Sequence, residues 1–557
     1  MKNFFDNIFK YNEKKEYNFV LSTTSNNLNE QDFSVTDNQI VSTSLKSNLD
    51  YLKIKYNMLI NSDIKTREFE ININNKKIPA CLFYIDGMVE NNAINDFILQ
   101  PLLLKNSIKM SDSKKRNNQI LDHSKHKFIK FNLENYLYSS LIPQNSVKKE
   151  SQFSKIIAMI NSGFCALFVE TLNSCFCIET KGFEGRSIDK PVTESVVKGA
   201  HEGFVENIRT NTSMLRKIIN NENLIIEETT VGKISKTKVA ICYIKNITND
   251  DLVAETKFRI NNLNIDYLLS SDQLTQFIKD SSTSSFPQTL STERPDRTSK
   301  YLLLGRVVVL VNGSPFALIL PAILIDFLTS PEDFNLNYHY ANFLRVLRAI
   351  SLVCALLIPG IYIAITMYHY ELLPTELLFA IIAAREAIPF PILVEIIIME
   401  GCFELIQEAS IRVPSSFSTT VGIIGALILG DAAVSANIVS PILIIIVAFS
   451  GICAFAIPDN SLRFAIKTLR FMYIILAYLA GFLGIAFGFF IHFLILSKQN
   501  SFGIPFFSPY IPFSDLSTNE TLYINPVWKR EKRDSFLNTK KPRIQNHISM
   551  KWRQNGK

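Results

Sequence analysis

The pattern of apolar and polar positions changes character along the chain. Up to about residue 300 the two kinds are interleaved, residues 301–327 are transitional, 343–496 are mostly apolar, and polar residues return after 500. Apolar runs of roughly 20 residues read as membrane helices. The pattern predicts spans at 343–368, 377–400 and 470–496, with a further apolar region, 419–457, that Gly430-Asp431 divides into a half-helix and a full span. Charges interrupt these runs: Glu395, Glu400, Glu404, Glu408, Arg412 and Asp431, among prolines at 389, 391, 414 and 441. Ionisable groups at membrane depth mark a polar path by default, and broken helices need protein or water to satisfy the freed backbone.

The polar half predicts α/β structure. Leu45–Ile60 has helical spacing, REFEININNKKIPACLFYID reads as strand, turn and strand, and Ala93–Leu104 as a helix before the polar break Lys105–Lys127. KIIAMI, FCALFVE and CFCIET read as a three-strand meander rich in β-branched and aromatic residues. A long helix is expected from Thr193, capped by Thr193 or Ser195 with Glu194 in its first turn. The strands NLIIEETTV and KVAICYI and a helix from near Asp250 follow, and Asn312-Gly313 predicts a hairpin within 303–321. KIPACLFYIDGMVENNAINDFI and TKVAICYIKNITNDDLVAETKF align Tyr84 on Tyr243 and Ile85 on Ile244, which favours a duplicated subdomain over two unrelated units. The fold class expected is an α/β soluble N-terminal region of two related subdomains, followed by an α-helical multi-pass membrane domain. The predicted boundaries are a flexible lead-in 1–45, a first subdomain 46–127, a second 128–335, a transmembrane domain 336–498 and a basic tail 499–557.

Charge refines the topology. Arg345 and Arg348 stand at the head of the first span, before its uncharged stretch, and the loop Tyr370–Glu376 has no Lys or Arg, which places the N-terminal region inside and this loop outside. Ten basic residues against Glu531 and Asp534 after residue 528 place the tail inside as well, which requires four crossings and leaves Arg463, Lys467 and Arg470 outside. No recognition module accompanies the basic tail, so nucleic acid is not an expected partner. The N-terminus has no apolar core for a secretory signal. The eight cysteines lack zinc-ligand spacing and read as buried thiols, and GxSxG, HExxH, P-loop and dinucleotide-binding patterns are missing. Neither enzyme activity nor a cofactor or metal is expected.

Longer strings carry a resemblance. KGFEGRSIDKPVTESVVKGAHEGFVENIRTNTSMLRKII, FPQTLSTERPD, LLLGRVVVLVNGSPFALILP, PFPILVEIIIMEGCFELIQEASIRVP and IVSPILIIIVAFSGICAFAIPDNSLR occur in this order. From about residue 150 to 530 the chain resembles the A subunits of spore germinant receptors, the GerA family. The resemblance implies a protein of the spore inner membrane acting in nutrient-triggered germination. It further implies a transporter-like B subunit and a lipoprotein C subunit as partners, and A subunits that oligomerise into a nutrient-gated ion channel. A non-conducting scaffold, or a related protein assisting dipicolinate release, is the alternative.

The candidate residues fall into two sets. At about 100° per residue, Glu400, Glu404, Gln407 and Glu408 share one stripe of a helix. With Asp431 they form the candidate ion path, as rings of carboxylates from several subunits. The plainer reading puts Glu404 and Glu408 in the headgroup region, with Arg412 pairing to Glu408 at i, i+4. Glu184, Arg186, Glu202, Arg209, Glu293 and Arg294 form the candidate interface and gating set, with a solvated, self-paired helix face as the alternative for the charges of the helix region.

Overall fold

The computed structural model describes residues 19–21, 39–73, 76–103, 133–182, 191, 193–282, 284–412, 430–512 and 522–545. The polar half is built from two five-stranded antiparallel sheets with one strand order. In the first unit α1 (Leu45–Lys55) precedes β1 (Ile64–Ile73) and β2 (Lys76–Ile85). A helical run α2 (91–103, with a π segment Asn95–Leu99), β3 (Val147–Glu150), α3 (Phe153–Asn161), β4 (Phe164–Val169) and β5 (Cys175–Glu179) follow. The second unit runs α4 (Ile208–Ile218), β6 (Leu224–Val231), β7 (Thr237–Ile244), α5 (Asp250–Asn261), α6 (Ser271–Ile278), β8 (Leu290–Thr292), α7 (Pro295–Leu304), β9 (Val307–Val311) and β10 (Ala317–Leu320).

The sheet orders are β1-β2-β4-β5-β3 and β6-β7-β9-β10-β8, so adding five to each strand of the first gives the second. The alignment of Tyr84 with Tyr243 holds in space: β2 and β7 both end in Tyr-Ile, and Ile85 faces Ile64 as Ile244 faces Leu224. In both units the helix before the fourth strand closes on a left-handed glycine, Gly163 (φ +88°) and Gly305 (φ +100°), a conformation that side chains with a Cβ resist. This common plan supports duplication. β4 and β9 are buried at every position because both faces of each sheet are covered, which is why their sequences show no polar alternation.

Several expected elements differ. The boundary expected at 127 falls inside the first sheet, which ends at Glu179, while the second sheet begins at Leu224. KIIAMI is not a strand but part of α3: Phe153, Ile156, Ile157 and Ile160 recur at helical spacing and are buried together. No helix starts at Thr193; residues 193–207 run without regular structure until Asn207 accepts the Arg209 N–H at 3.0 Å and caps α4. α1 stops at Lys55, short of Ile60. The break Lys105–Lys127 lies outside the described residues. The hairpin at Asn312-Gly313 forms, pairing Leu310 with Ala317. Of the cysteines, Cys81, Cys165, Cys175, Cys177, Cys242 and Cys453 are buried free thiols. Burial pushes Cys81 up to about 12, so it stays protonated and unreactive.

An apolar helical bundle follows: α8 (Tyr338–Tyr368), α9 (Thr375–Glu386), α10 (Ile392–Arg412), α11 (Pro441–Phe455) and α12 (Asn460–Lys498). α8 and α12 are long and apolar enough to cross a membrane. The span expected at 377–400 is interrupted instead, because the chain leaves α9 at Ala387 and resumes in α10 after Pro389 and Pro391.

α12 also departs from its expected single span. A straight helix of 39 residues would reach about 58 Å, nearly twice a hydrocarbon core. Ala480 (φ −144°, ψ 19°) and Gly481 (φ 58°, ψ −137°) break it. The limbs, residues 460–479 and 482–498, pack back on each other: the Tyr473 ring lies 5.5 Å from the His492 ring. A Cβ on Gly484 would lie 2.1 Å from the Leu476 oxygen, so only glycine permits this approach. Tyr368 donates its hydroxyl to the carbonyls of Tyr478 at 2.7 Å and Leu479 at 3.2 Å, satisfying acceptors the break sets free. Both ends of α12 thus return to the second α/β unit. Ser501 donates to the Gln288 oxygen at 2.6 Å, Phe502 N–H to Asp280 at 2.6 Å, and Asp459 lies beside Arg297. Arg463 and Lys467 therefore sit in the half of the limb nearest that unit and Arg470 at its middle, none of them at the far end.

Candidate functional site

α10 carries its acids toward the bundle. Glu400 is fully buried and accepts Arg470 Nη1 at 2.6 Å, with the Ser450 hydroxyl at 3.3 Å on its other oxygen. Arg470 also donates Nε to the Ala355 carbonyl of α8 at 2.8 Å. One turn on, Lys467 reaches Glu404 at 3.0 Å and also bonds Gln407. At the other end Glu395, buried, pairs with Arg385 of α9 at 3.2 Å and accepts the Ser440 N–H at 3.4 Å. An ion left alone in such surroundings costs several kcal/mol, roughly 3–5 when one partner of a buried pair is removed. The pairs therefore fix how α10 seats on α12 and α9.

The predicted stripe is thus divided. Glu400, Glu404 and Gln407 come together on the bases of α12. Glu408 stays apart, exposed and paired with Arg412 through Nε at 2.8 Å, which is the i, i+4 pair of the headgroup reading. Asp431 is exposed on a short helix, Gly430–Ser435. Within one chain the carboxylates of Glu400 and Glu404 are neutralised by their own bases and do not stand free toward an axis. The partners Lys467 and Arg470 were the missed residues. Their signal was present, since 463, 467 and 470 repeat at i, i+4, i+7 and match the polar positions Glu400, Glu404 and Gln407.

A second charged cluster joins the bundle to the second unit. Arg294, fully buried at the start of α7, binds Asp296 at 2.7 Å, the Ala200 carbonyl at 2.8 Å and the Glu194 carbonyl at 3.2 Å. Arg297 pairs with Glu194 and donates to the Asp326 and Thr329 carbonyls. Arg306 and Asp326 form a pair with no exposure on either side, and Asp326 also accepts Tyr301 and the Ile323 N–H. Asp333 receives Arg348 at 2.7 Å and Arg345 at 3.3 Å from the start of α8. Burial raises the carboxyl of Asp459, in the turn between α11 and α12, against the Leu462 N–H and the Arg297 charge.

The remaining interface candidates go elsewhere. Glu293 accepts the Thr193 N–H at 3.2 Å, beside Arg294. Arg209 pairs with Asp86 of the first unit. Glu202 makes an exposed pair with Lys217 at 2.9 Å, a contact worth about 0–1 kcal/mol. Glu184 and Arg186 lie outside the described residues. Between the two units Arg216 grips Asp63 with two bonds of 2.8 and 3.0 Å and reaches Asn61 at 3.1 Å. A cleft of about 500 Å³ opens nearby, lined by Gly87, Glu90, Asn92, Arg209 and Ser213 among others, polar and within the size range of small-molecule sites.

Paired α/β units seated on an apolar bundle, with buried ion pairs at the seat and inside the bundle, define a protein whose two halves are mechanically joined. The chain belongs to the GerA family of spore germination proteins: the family described as Bacillus/Clostridium GerA spore germination protein matches residues 50–536. It is 35% identical over 494 residues to spore germination protein KA of Bacillus subtilis (strain 168), covering 89% of this chain and 87% of that protein. It is 36% identical over 493 residues to the membrane protein YfkQ of the same organism, covering 88% and 91%. The N-terminal domain of the A subunit of the Bacillus megaterium spore germinant receptor GerK3 is 30% identical and covers 51% of this chain and 98% of its own, with a TM-score of 0.38.

Proposed function

We propose that this chain is the A subunit of a nutrient germinant receptor in the spore inner membrane. In this reading it works with a transporter-like B subunit and a lipoprotein C subunit, and several copies surround an ion path that opens on germination. It has no catalytic role. In this reading the bundle crosses the bilayer an even number of times, the two limbs of α12 making one pair of crossings, and the α/β units and the tail share the cytoplasmic side. Folding α12 back removes the conflict with the positive-inside rule, because Arg463 and Lys467 then lie toward the cytoplasm, with Arg470 midway along the limb.

The observation that carries the reading is the pairing of Glu400 with Arg470 and of Glu404 with Lys467 inside an apolar bundle. These pairs hold α10 on α12 in the closed state. Strain passed from the α/β units through Arg297 and Asp459 frees α10, and its carboxylates turn toward the shared axis and favour cations. A scaffold that only holds its partners together is the second reading, favoured by the neutralisation of these carboxylates within the chain.

A charge exchange separates the two. Glu404→Lys with Lys467→Glu keeps an ion pair between the helices but moves the base onto α10. The expected outcome is normal assembly with slowed germination and reduced cation flux in proteoliposomes of the whole receptor. Parental flux and germination in the exchanged protein would leave only the scaffold.

A further inference from the structure

Beyond the helices themselves, we infer that the segment 523–545 forms a docking surface for the anionic phospholipid leaflet, an inference that rests on the membrane reading above. The segment is pinned to the first turns of α8. Asn342 accepts the Ile524 N–H at 2.7 Å and donates to its carbonyl at 3.0 Å, and the Trp528 ring meets the Tyr338 ring edge-on at 6.0 Å. Tyr338 opens α8 five residues, about 7.5 Å, before the exposed Phe343, and Arg345 and Arg348 follow before the charge-free run from Ala349, so these first turns form the polar edge of the apolar helix. At this level Tyr523, Val527 and Trp528 are exposed, as are Tyr340 and Phe343 of the helix. Apolar rings with polar edges gather at such boundaries.

Basic residues adjoin this aromatic group. The chain doubles back, so that Gln545 donates to the Val527 carbonyl at 2.8 Å and Ile544 N–H to the Glu531 carbonyl at 2.7 Å, while Lys532 bridges to Arg543. Buried Arg533 ties the two limbs by donating to the Lys541 carbonyl at 2.8 Å and the Arg543 carbonyl at 2.5 Å. Lys529, Lys532 and Arg543 are left exposed on one small platform, with Glu531 as the acid among them. Aromatic side chains at such a polar edge beside clustered cations fit a surface of anionic phospholipid.

The chain has two tryptophans, so Trp552→Phe makes Trp528 the sole reporter. The full-length variant is reconstituted in vesicles of phosphatidylcholine, or of phosphatidylcholine with phosphatidylglycerol, at equal content of lipid brominated near the headgroup. The expected result is stronger quenching of Trp528 when phosphatidylglycerol is the brominated lipid. That excess disappears at high salt and in a Lys529→Glu, Lys532→Glu, Arg543→Glu variant. Equal quenching by both lipids overturns the inference, and so does no quenching, which would mean water or another protein at Trp528. Flotation of the same samples separates the two levels: a chain that floats without headgroup preference loses only the docking surface, whereas one that stays in the dense fraction loses the membrane reading as well.

Discussion

The two α/β units share a strand order and differ in the helix that leads into their fourth strands. Counting from the matched glycines Gly163 and Gly305, Lys155 of α3 stands where Arg297 stands in α7, and Phe164 where Arg306 stands. In the first unit Lys155 is exposed and reaches Glu150 at 3.6 Å, while Phe164 joins an apolar core. In the second unit both positions are buried arginines, paired to Glu194 and Asp326. Sealing a core does not need buried ions, which often stabilise no more than well-packed apolar groups would. They do require one geometry. The unit that touches the bundle has a polar seat, and the unit away from it has a packed apolar one.

This contrast breaks first at Asp326. Asp326→Asn leaves Arg306 buried without its counter-charge and is expected to cost about 3–5 kcal/mol, whereas the exposed Lys155→Ala should stay within about 0.5 kcal/mol. Thermal unfolding of the full chain in detergent compares them; similar midpoints would erase the distinction between the units. Next comes the contact between the copies. Arg216→Ala strands Asp63 and is expected to cost about 3 kcal/mol, with hydrogen exchange rising at Ser62 and Glu228 while β4 and β9 stay protected. Exchange rising equally throughout both sheets would mean that the units do not fold separately.

The smallest effect sharpens the comparison at the surface of the first unit. Burial pushes the Glu134 carboxyl up, but Lys149 and Ser174 outweigh it and hold it below its ordinary value of 4.5. A carboxyl lowered by folding stabilises fully above that value, and the contribution is lost as pH falls through the lowered one. Glu134→Gln should therefore lower thermal stability slightly at neutral pH, where the contribution is fully present, and flatten its loss on acidification below about pH 4.5. An unchanged acid slope would remove Glu134 from the account.

Local chemistry made much of this fold legible. The β1–β2 and β9–β10 hairpins follow from turn residues between β-branched runs, and the repeated Tyr-Ile strand ends marked the duplication. KIIAMI misled because isoleucine suits strands, although Phe153, Ile156, Ile157 and Ile160 already had a helical spacing. The loop from Thr193 looked helical by its charges, yet Glu194 and Glu293 are spent on groups a hundred residues away, which no local pattern reveals. Of the candidate ion path, the stripe on α10 was visible and its partners were not, because pairing acids with bases 63 and 70 residues on requires knowing how α12 packs against α10.

That fold-back also bears on how the chain enters a bilayer. Because the two limbs of α12 meet through Ala480 and Gly481, with Tyr368 covering the exposed carbonyls, the leading end of the hairpin carries no charged side chain and no open loop. In the proposed topology both limbs would be inserted together as one wedge, with their charged ends left on the side where synthesis occurs. No hydrophilic segment then has to be drawn through the hydrocarbon at this step, and the tail is free to fold onto the second α/β unit as soon as it leaves the ribosome.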